Sequence, residues 1–536
     1  MTTRSERIRE QYETWPYPHF PRFAAVRRLD TWQLNLDYLR DRCGFGAAPK
    51  RPRIWIAGCG TFQPYTLGLA NPGAEIVATD ISLRSLRQAR QRCLWHGLGR
   101  HRFEQVDLND PATWPDGQFD WIECYGVLMN LEDPAAALAR MAERLTDEGI
   151  LRLMVYPHFS RQRIFQVQRV ARLLGLHAGE RAHPQALRSL VQQLPEGHPL
   201  RYAFTTYPDS ANPAGIVDGF LHAGDRGFSA PELGEMCTAA DLEPGFWFHR
   251  PWGDPTAMRN ALGLGPVSDW QVLDYLDRWQ ELRTNLILCL RKRRGATPSP
   301  DSVELRLHPL LETGTRGLPL PGRLGIWWQR TRGLTLRSRT HATPPRWTRD
   351  ELAAVRRVVR GAPRTTEQTA LLARALCDGV VLTNNHAPVS PPSTRVPLHD
   401  PDHKALQVGD RVANPLFQHL FAAWYAAPDI DVEIARWRDH ADPLERDPMA
   451  FGLTPFATFL RQEPAVREHL RNRPAGRAGS FAELRYAGET VGIAAVRALI
   501  ERVAGLPYRD LDAAEWRELW VLLGTHRQLL LDAVQA

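Results

Sequence analysis

Two glycines, Gly58 and Gly60, flank Cys59 directly after the apolar run IWIA. Where a strand gives way to a helix in an α/β sheet, a residue without a side chain lets a ligand approach the main chain. About 20 residues on, Asp80 closes a second apolar run, EIVATD, at the place where a carboxylate accepts both hydroxyls of a ribose. Asp107 closes a third, FEQVD, placed to meet an adenine amino group. Together these spaced features point to a purine nucleoside.

The nucleoside need not carry a phosphate. A dinucleotide fingerprint requires a third glycine at position 63, which is Gln63. S-adenosylmethionine has no phosphate, and its methionine tail needs polar groups near the glycine loop, which Thr61 and Gln63 supply. A nicotinamide dehydrogenase is the competing enzyme reading, and Gln63 counts against it. The expected cofactor contacts are Tyr12, Gly58, Cys59, Gly60, Thr61, Gln63, Asp80, Ile81, Asp107, Leu108, Tyr125 and Gly126. No metal ligands are expected.

Methyl transfer from that cofactor is an in-line displacement, so the protein mainly aligns a nucleophile and removes its water. A base is needed only when the nucleophile holds a proton at neutral pH. His222, with Asp225 and Arg226 close by in sequence, is a candidate base; a satisfied core or surface histidine is the plainer alternative. Tyr17 is the second catalytic candidate: with Tyr12, and with Pro16 and Pro18 stiffening the turn, it either folds over the cofactor as a lid or packs on the sheet edge. His158 is a weaker candidate for the substrate side, and Tyr156 reads as structural.

The elements that must hold these residues follow from hydrophobic periodicity. RIWIAG, AEIVATD, RFEQVD, FDWIECYG and ILRLMVY read as strands, and helix-period apolar residues separate several of them, with Leu83, Leu86, Ala89 and Cys93 on one face. Alternating strands and helices imply βαβ crossovers and a doubly wound, Rossmann-like α/β sheet. After Tyr156 the pattern is helical through about 195. Ser229 and Glu232 then begin a helix that leads to a strand, and NLILCLRK is a late strand.

The Pro/Ser/Gly content of RKRRGATPSPDS and of 386–404 marks two linkers. They divide the chain into an S-adenosylmethionine-binding domain (1–295), a winged-helix-like α+β domain (302–385) and an all-helical C-terminal domain (405–536). Trp424, Tyr425, Trp516 and Trp520 fall at helical intervals and read as core. His386, His399 and His403 with Asp400 and Asp402 match no standard metal spacing.

Composition narrows the class. A chain of 536 residues with 43% hydrophobic and 24% charged residues has the profile of a globular protein, not a disordered one. No apolar stretch approaches the roughly 20 residues that cross a bilayer, and seven cysteines without a CxxC pair suggest reduced thiols, so the expectation is a cytoplasmic protein with no membrane partner. The net charge of +7 favours an anionic partner only mildly. GIWWQRTRGLTLRSRTHATPPRWTR interleaves arginine and tryptophan, so nucleic acid is a possible partner, against the blander reading of a solvated basic wing. Dimerisation stays open.

The stretch from the glycine loop onward resembles class I S-adenosylmethionine-dependent methyltransferases, on Gly58-Cys59-Gly60, Asp80, Asp107 and FDWIECYGVLMNLEDPAAALARMAERLTDEGILRLMVY. YETWPYP and FLHAGDRGFSAPEL resemble segments of a bacterial subgroup marked by YExxPYP, and the multidomain plan is loosely similar to bacterial protein-lysine methyltransferases. The resemblance implies methyl transfer to an oxygen or nitrogen of a small molecule or protein side chain. A nucleic-acid methyltransferase and a non-catalytic cofactor-binding scaffold are the alternatives. Phe62 stands where many relatives have a glycine, and Met129-Asn130 where the subgroup has a histidine pair.

Overall fold

The computed structural model describes residues 3–21, 23–194, 198–248, 268–278, 282, 285–293, 304–312, 334–335, 346–361, 365–383, 481–506 and 511–524. The chain divides into two compact units, one of 1–161 with 224–418 and one of 162–223 with 419–536.

The first unit is built on seven strands: β1 (Arg53–Ala57), β2 (Glu75–Asp80), β3 (Arg102–Gln105), β4 (Phe119–Tyr125), β5 (Leu145–Val155), β6 (Leu242–Trp247) and β7 (Leu286–Lys292). They lie in the order β3-β2-β1-β4-β5-β7-β6. The five strands from β3 to β5 are parallel, and β7 runs antiparallel to both β5 and β6. This mixed sheet with its flanking helices is a Rossmann-like fold. Strand order reverses at β1, which pairs with β2 on one side and β4 on the other, and such a reversal opens a crevice at the carboxyl ends of the strands.

Local chemistry sets the helices. In α1 (Arg4–Thr14), Thr3 and Glu6 form a reciprocal capping box. In α4 (Leu83–Trp95), Ser82 caps the start by accepting from the Ser85 amide, and Leu86, Ala89 and Cys93 are buried. Asp133 caps α5 (Pro134–Glu143), and Ser229 caps α10 (Ala230–Ala239) as the sequence suggests. The helices α2 (Leu36–Arg42), α3 (Gln63–Ala70) and α11 (Asp269–Arg278) complete this layer.

The domain division differs from the one drawn at the linkers. Residues 302–385 were expected to form a separate winged-helix-like domain. Their described parts are β8 (Leu305–Leu307) paired with β11 (Val381–Thr383), β9 (Leu334–Thr335) paired with β10 (Arg346–Trp347), and the helices α12 (Pro309–Glu312), α13 (Arg349–Val359) and α14 (Thr366–Cys377). Leu307, Leu310, Trp347, Val355, Leu372 and Val381 share one continuous core with Trp32, Leu36, Leu39, Ile54 and Trp121. A linker's composition says the chain is extended there. It does not stop the following segment from packing back onto the preceding core.

In the second unit every described element is a helix: α6 (Gln162–Leu173), α7 (His183–Gln193), α8 (Pro199–Thr206), α9 (Pro213–Phe220), α15 (Phe481–Arg502) and α16 (Ala513–Gly524), together with one short 3₁₀ turn. Residues 162–223, assigned by sequence to the cofactor domain, thus group with the C-terminal helices. Trp516 and Trp520 are buried, as their spacing suggests, and Arg169 pairs in bidentate fashion with Glu518 at 2.6 and 2.7 Å. Trp424, Tyr425, the histidines of 386–403 and most of the arginine–tryptophan stretch lie outside the described residues.

Candidate functional site

The loop after β1 is held in a conformation that L side chains rarely adopt. Gly58 and Gly60 have φ of +79° and +55°. The reason for the bare backbone is partly internal. A Cβ on Gly60 would lie 2.7 Å from the Tyr17 carbonyl oxygen, and one on Gly58 would lie 2.3 Å from a methyl of Val127. These glycines make room for neighbouring protein as well as for any ligand.

The amide donors of this loop are already committed. Gly58 N and Cys59 N donate to Thr79 O at 3.0 and 2.8 Å, Gly60 N donates to Asp80 Oδ2 at 2.8 Å, and Thr61 N donates to Tyr17 O at 3.1 Å. A phosphate needs free N–H groups at such a turn. Acceptors are what this site leaves over. Gln63 Oε1, at the start of α3, and Asn130 Oδ1, in the loop after β4, are buried and accept no hydrogen bond from the protein. A ligand that brings hydroxyl and ammonium donors fits this set, and a pyrophosphate does not.

Asp80 sits at the end of β2, where its Oδ1 also accepts from Ser82 N at 2.9 Å. Burial pushes its carboxyl up to about 6, against the pull of the amides of Ser82 and Gly60. Asp107 lies two residues beyond β3, not in the strand as expected, and accepts from Asn109 N at 3.0 Å. Leu108 beside it is buried; Ile81 is half-buried, and its carbonyl accepts from Gln105. Tyr125 ends β4 with the Arg152 guanidinium 4.7 Å over its ring, and Gly126 follows at φ +78°. Asp80, Asp107, Tyr125 and Gly126 therefore stand at or just past the carboxyl ends of β2, β3 and β4, which lie to either side of β1 in the sheet.

Two expected contacts have other duties. Thr61 is 1% exposed, and its hydroxyl donates to Pro18 O at 2.5 Å, so it fastens the N-terminal segment instead of facing a ligand. The Cys59 thiol is buried in the core and burial pushes it far above its ordinary range; only its backbone belongs to the loop. Phe62 packs its ring at a tilt against Phe20 (4.4 Å) under the Arg92 guanidinium (4.8 Å), and its φ of −134° requires no glycine.

The sequence reading missed how far the N-terminal segment reaches. Ser5 Oγ accepts from Asn109, after β3, at 2.8 Å, and Tyr12 O accepts from Ser82, after β2, at 3.2 Å. Tyr17 O and Pro18 O accept from Thr61, after β1, and Arg4 donates to Met129 O, after β4, at 3.1 Å and to Gly224 O. The segment is a strap tied to the loops after four strands. For Tyr12 and Tyr17, main-chain anchoring to the sheet edge is what the geometry provides. The capping box at Thr3 and Glu6 was the available signal that a helix begins at once.

On the other side of the crevice, Asp277 accepts from the amides of His158, Phe159 and Ser160 at 2.7 to 3.1 Å and fixes the turn after β5. Arg161 lies 3.4 Å over the Tyr156 ring and 3.7 Å from Asp225. Arg226 instead pairs with Glu232 at 2.9 Å. His222 is buried after α9, in the second unit.

Residues 56–151 match the family model described as a methyltransferase domain. This stretch carries a methyltransferase domain, and the acceptors Gln63 and Asn130 lie within it. An uncharacterized Synechococcus protein is 39% identical over 196 residues, covering 35% of this chain and 46% of that protein. Magnesium-protoporphyrin O-methyltransferase of Rhodobacter capsulatus is 37% identical over 82 residues, covering 15% of this chain and 35% of that enzyme. The chain thus spans less than half the length of either curated relative. Among solved structures, PKMT2 from Rickettsia typhi in complex with AdoHcy aligns over 68% of this chain and 77% of its own, at 13% identity and a TM-score of 0.42. Among the described residues no cluster of side chains is suited to a metal, and no helix is long and apolar enough to cross a membrane.

Proposed function

We propose that the whole chain is a methyltransferase that acts on an oxygen or nitrogen of a small molecule or a protein side chain. The observation that carries this is the inverted polarity of the β1 loop: its amide donors are used inside the protein, while Gln63 Oε1 and Asn130 Oδ1 are left as acceptors. Asp80 would hold the ribose hydroxyls and Asp107 the adenine amino group. Gln63 Oε1 would accept from the ammonium of the methionine tail. The cofactor supplies a methyl already activated by a sulfonium, so the chain's part is to bind, orient and keep water from the crevice.

The strap formed by YETWPYP supports placing the chain in the YExxPYP subgroup, with 302–385 and the C-terminal helices as accessory regions. His222 is the base in this reading when the acceptor carries a proton. His222→Ala should lower turnover and leave cofactor affinity intact; unchanged turnover ends that role. The reading as a whole is tested by calorimetry with S-adenosylhomocysteine and NAD. Micromolar binding of the first and none of the second is expected, and a preference for NAD would overturn it.

A further inference from the structure

The described residues expose five large hydrophobic side chains: Phe20, Phe23, Leu83, Leu94 and Trp95. Four of these gather around the last turns of α4. Trp95 is 66% exposed and packs on Phe23, 58% exposed, with ring centroids 4.6 Å apart. Arg92 binds the carbonyls of Phe20, Pro21 and Ala24, which holds these residues beside the helix. Single exposed apolar residues need no explanation, but a cluster rimmed by charge marks an interaction surface.

Beside the cluster is a cavity of about 360 Å³, within the size range of ligand clefts. Leu94, Leu98 and Phe103 give it apolar lining; of its charged residues Arg102 is paired with Glu104, which leaves Arg90 as the charge unpaired among the described residues. His101, pushed down to about 4 by burial, is neutral there. Between Leu83 and Phe103 the sequence has six arginines and no acidic residue. Arg92 is turned inward, Arg84 is bound to Glu13 and Arg102 to Glu104, while Arg87, Arg90 and Arg100 are exposed with no ion pair among the described residues.

We propose that this end of α4 is a docking site for an acidic peptide segment that carries an apolar anchor residue. Three features select that partner. The unpaired arginines call for anionic charge. The cavity calls for a side chain that enters it, which a flat lipid surface does not supply. The aromatic rings are tilted against each other, Phe23 on Trp95 by 50° and Phe20 on Phe62 by 40°, so they do not form the row of parallel faces on which successive nucleic-acid bases stack. α4 spans about 20 Å, so its Trp95 end, with Phe23, is a helix length from Asp80, although Phe20 packs on Phe62 beside the glycine loop.

The test is fluorescence anisotropy with a labelled peptide of alternating glutamate and leucine. Its glutamine counterpart, oligothymidylate and phosphatidylserine vesicles serve as competitors. Saturable binding of the acidic peptide is expected, weakened about tenfold by the double variant Arg90→Glu, Arg100→Glu and about tenfold by Trp95→Ala. Affinity for S-adenosylhomocysteine should not change in either variant, which shows that the fold is intact. Absence of saturable binding, equal binding of the glutamine peptide, stronger competition by oligothymidylate or vesicles, or binding indifferent to both variants would each overturn the proposal.

Discussion

The crevice at the carboxyl edge and the seam between α2 and residues 304–383 are built from similar parts and finish in opposite states. Each has a left-handed glycine with no room for a side chain: Gly60 against Tyr17 O, and Gly379 (φ +71°) with Tyr38 and Trp32 at 2.6 and 2.8 Å from its would-be Cβ. Each buries a titratable group whose range is shifted by desolvation, Asp80 up to about 6 and His308 down to about 3. In the seam both ring nitrogens of His308 are satisfied, Nδ1 accepting from Leu310 N at 3.1 Å and Nε2 donating to Trp32 O at 3.0 Å. Arg42 donates to Leu376 O at 2.7 Å, and Thr383 N donates to Asp41. The crevice instead keeps orphaned acceptors. Among the described residues the seam's own orphans are donors, Arg306 Nε and Nη2 near Asp37, whereas the crevice holds back acceptors, which a donor-bearing ligand can use.

The largest effect expected from this contrast is at Asp80. Hydrogen bonds to a charged group contribute about 1.5 to 3 kcal/mol each. Loss of two to a ribose should therefore weaken S-adenosylhomocysteine binding more than about 100-fold in Asp80→Ala. Calorimetry on the variant reads this directly; retained affinity would place the ribose elsewhere and dissolve the contrast.

The glycines come next. Gly379→Ala should destabilise the protein by about 2 to 4 kcal/mol, because the backbone is left-handed and the seam is overpacked. Cofactor affinity should stay unchanged in the folded fraction. Gly60→Ala strains the Tyr17 contact and should lower affinity as well. Denaturant midpoints set beside calorimetry separate the two, and equal behaviour of the variants would show the seam and the crevice to be one cooperative structure.

These outcomes bear on what was legible in the sequence. The parallel strands, Asp80 and the glycine loop were legible because strand-to-helix transitions carry local signals: apolar runs, glycines and terminal acids. The late strand at 285–292 was legible too, though its antiparallel insertion between β5 and β6 was not, since pairing is not encoded locally. The strap was hidden because main-chain carbonyls do its tying. Thr61 misled for the same reason: a hydroxyl near a ligand loop and a hydroxyl fastening that loop are the same residue in a sequence. The seam was missed because linker composition was read as separation, whereas Leu307, Trp347 and Val381 bury together with Trp32 and Tyr38.

Acid should act on the two regions with opposite sign. His308 has a folded value below the unfolded 6.5, so the unfolded chain takes up the proton first. Its stabilising contribution is present above that range and is lost as pH falls from 6.5 toward 3. Asp80 has a folded value above the unfolded 3.8; its contribution is present below 3.8 and lost as pH rises through about 6. Protonated Asp80 is a poorer acceptor for ribose, so cofactor affinity should fall below about pH 6 while His308 draws thermal stability down over the same interval. In His308→Gln the thermal curve should flatten and the affinity curve should not; parallel flattening would mean that one group governs both.

The smallest effect sharpens the contrast most, because it tests the orphaned acceptor itself. If Gln63 Oε1 waits for the ammonium of the cofactor tail, Gln63→Ala should weaken S-adenosylhomocysteine binding by about 1.5 kcal/mol, about tenfold, with little change in stability, since no protein donor loses a partner. Gln63→Glu keeps an acceptor and adds charge opposite the ammonium, so its affinity should equal or exceed that of the native protein. A truncation without effect would mean that solvent already satisfies this oxygen. The difference between crevice and seam would then rest on Asp80 and Asn130 alone.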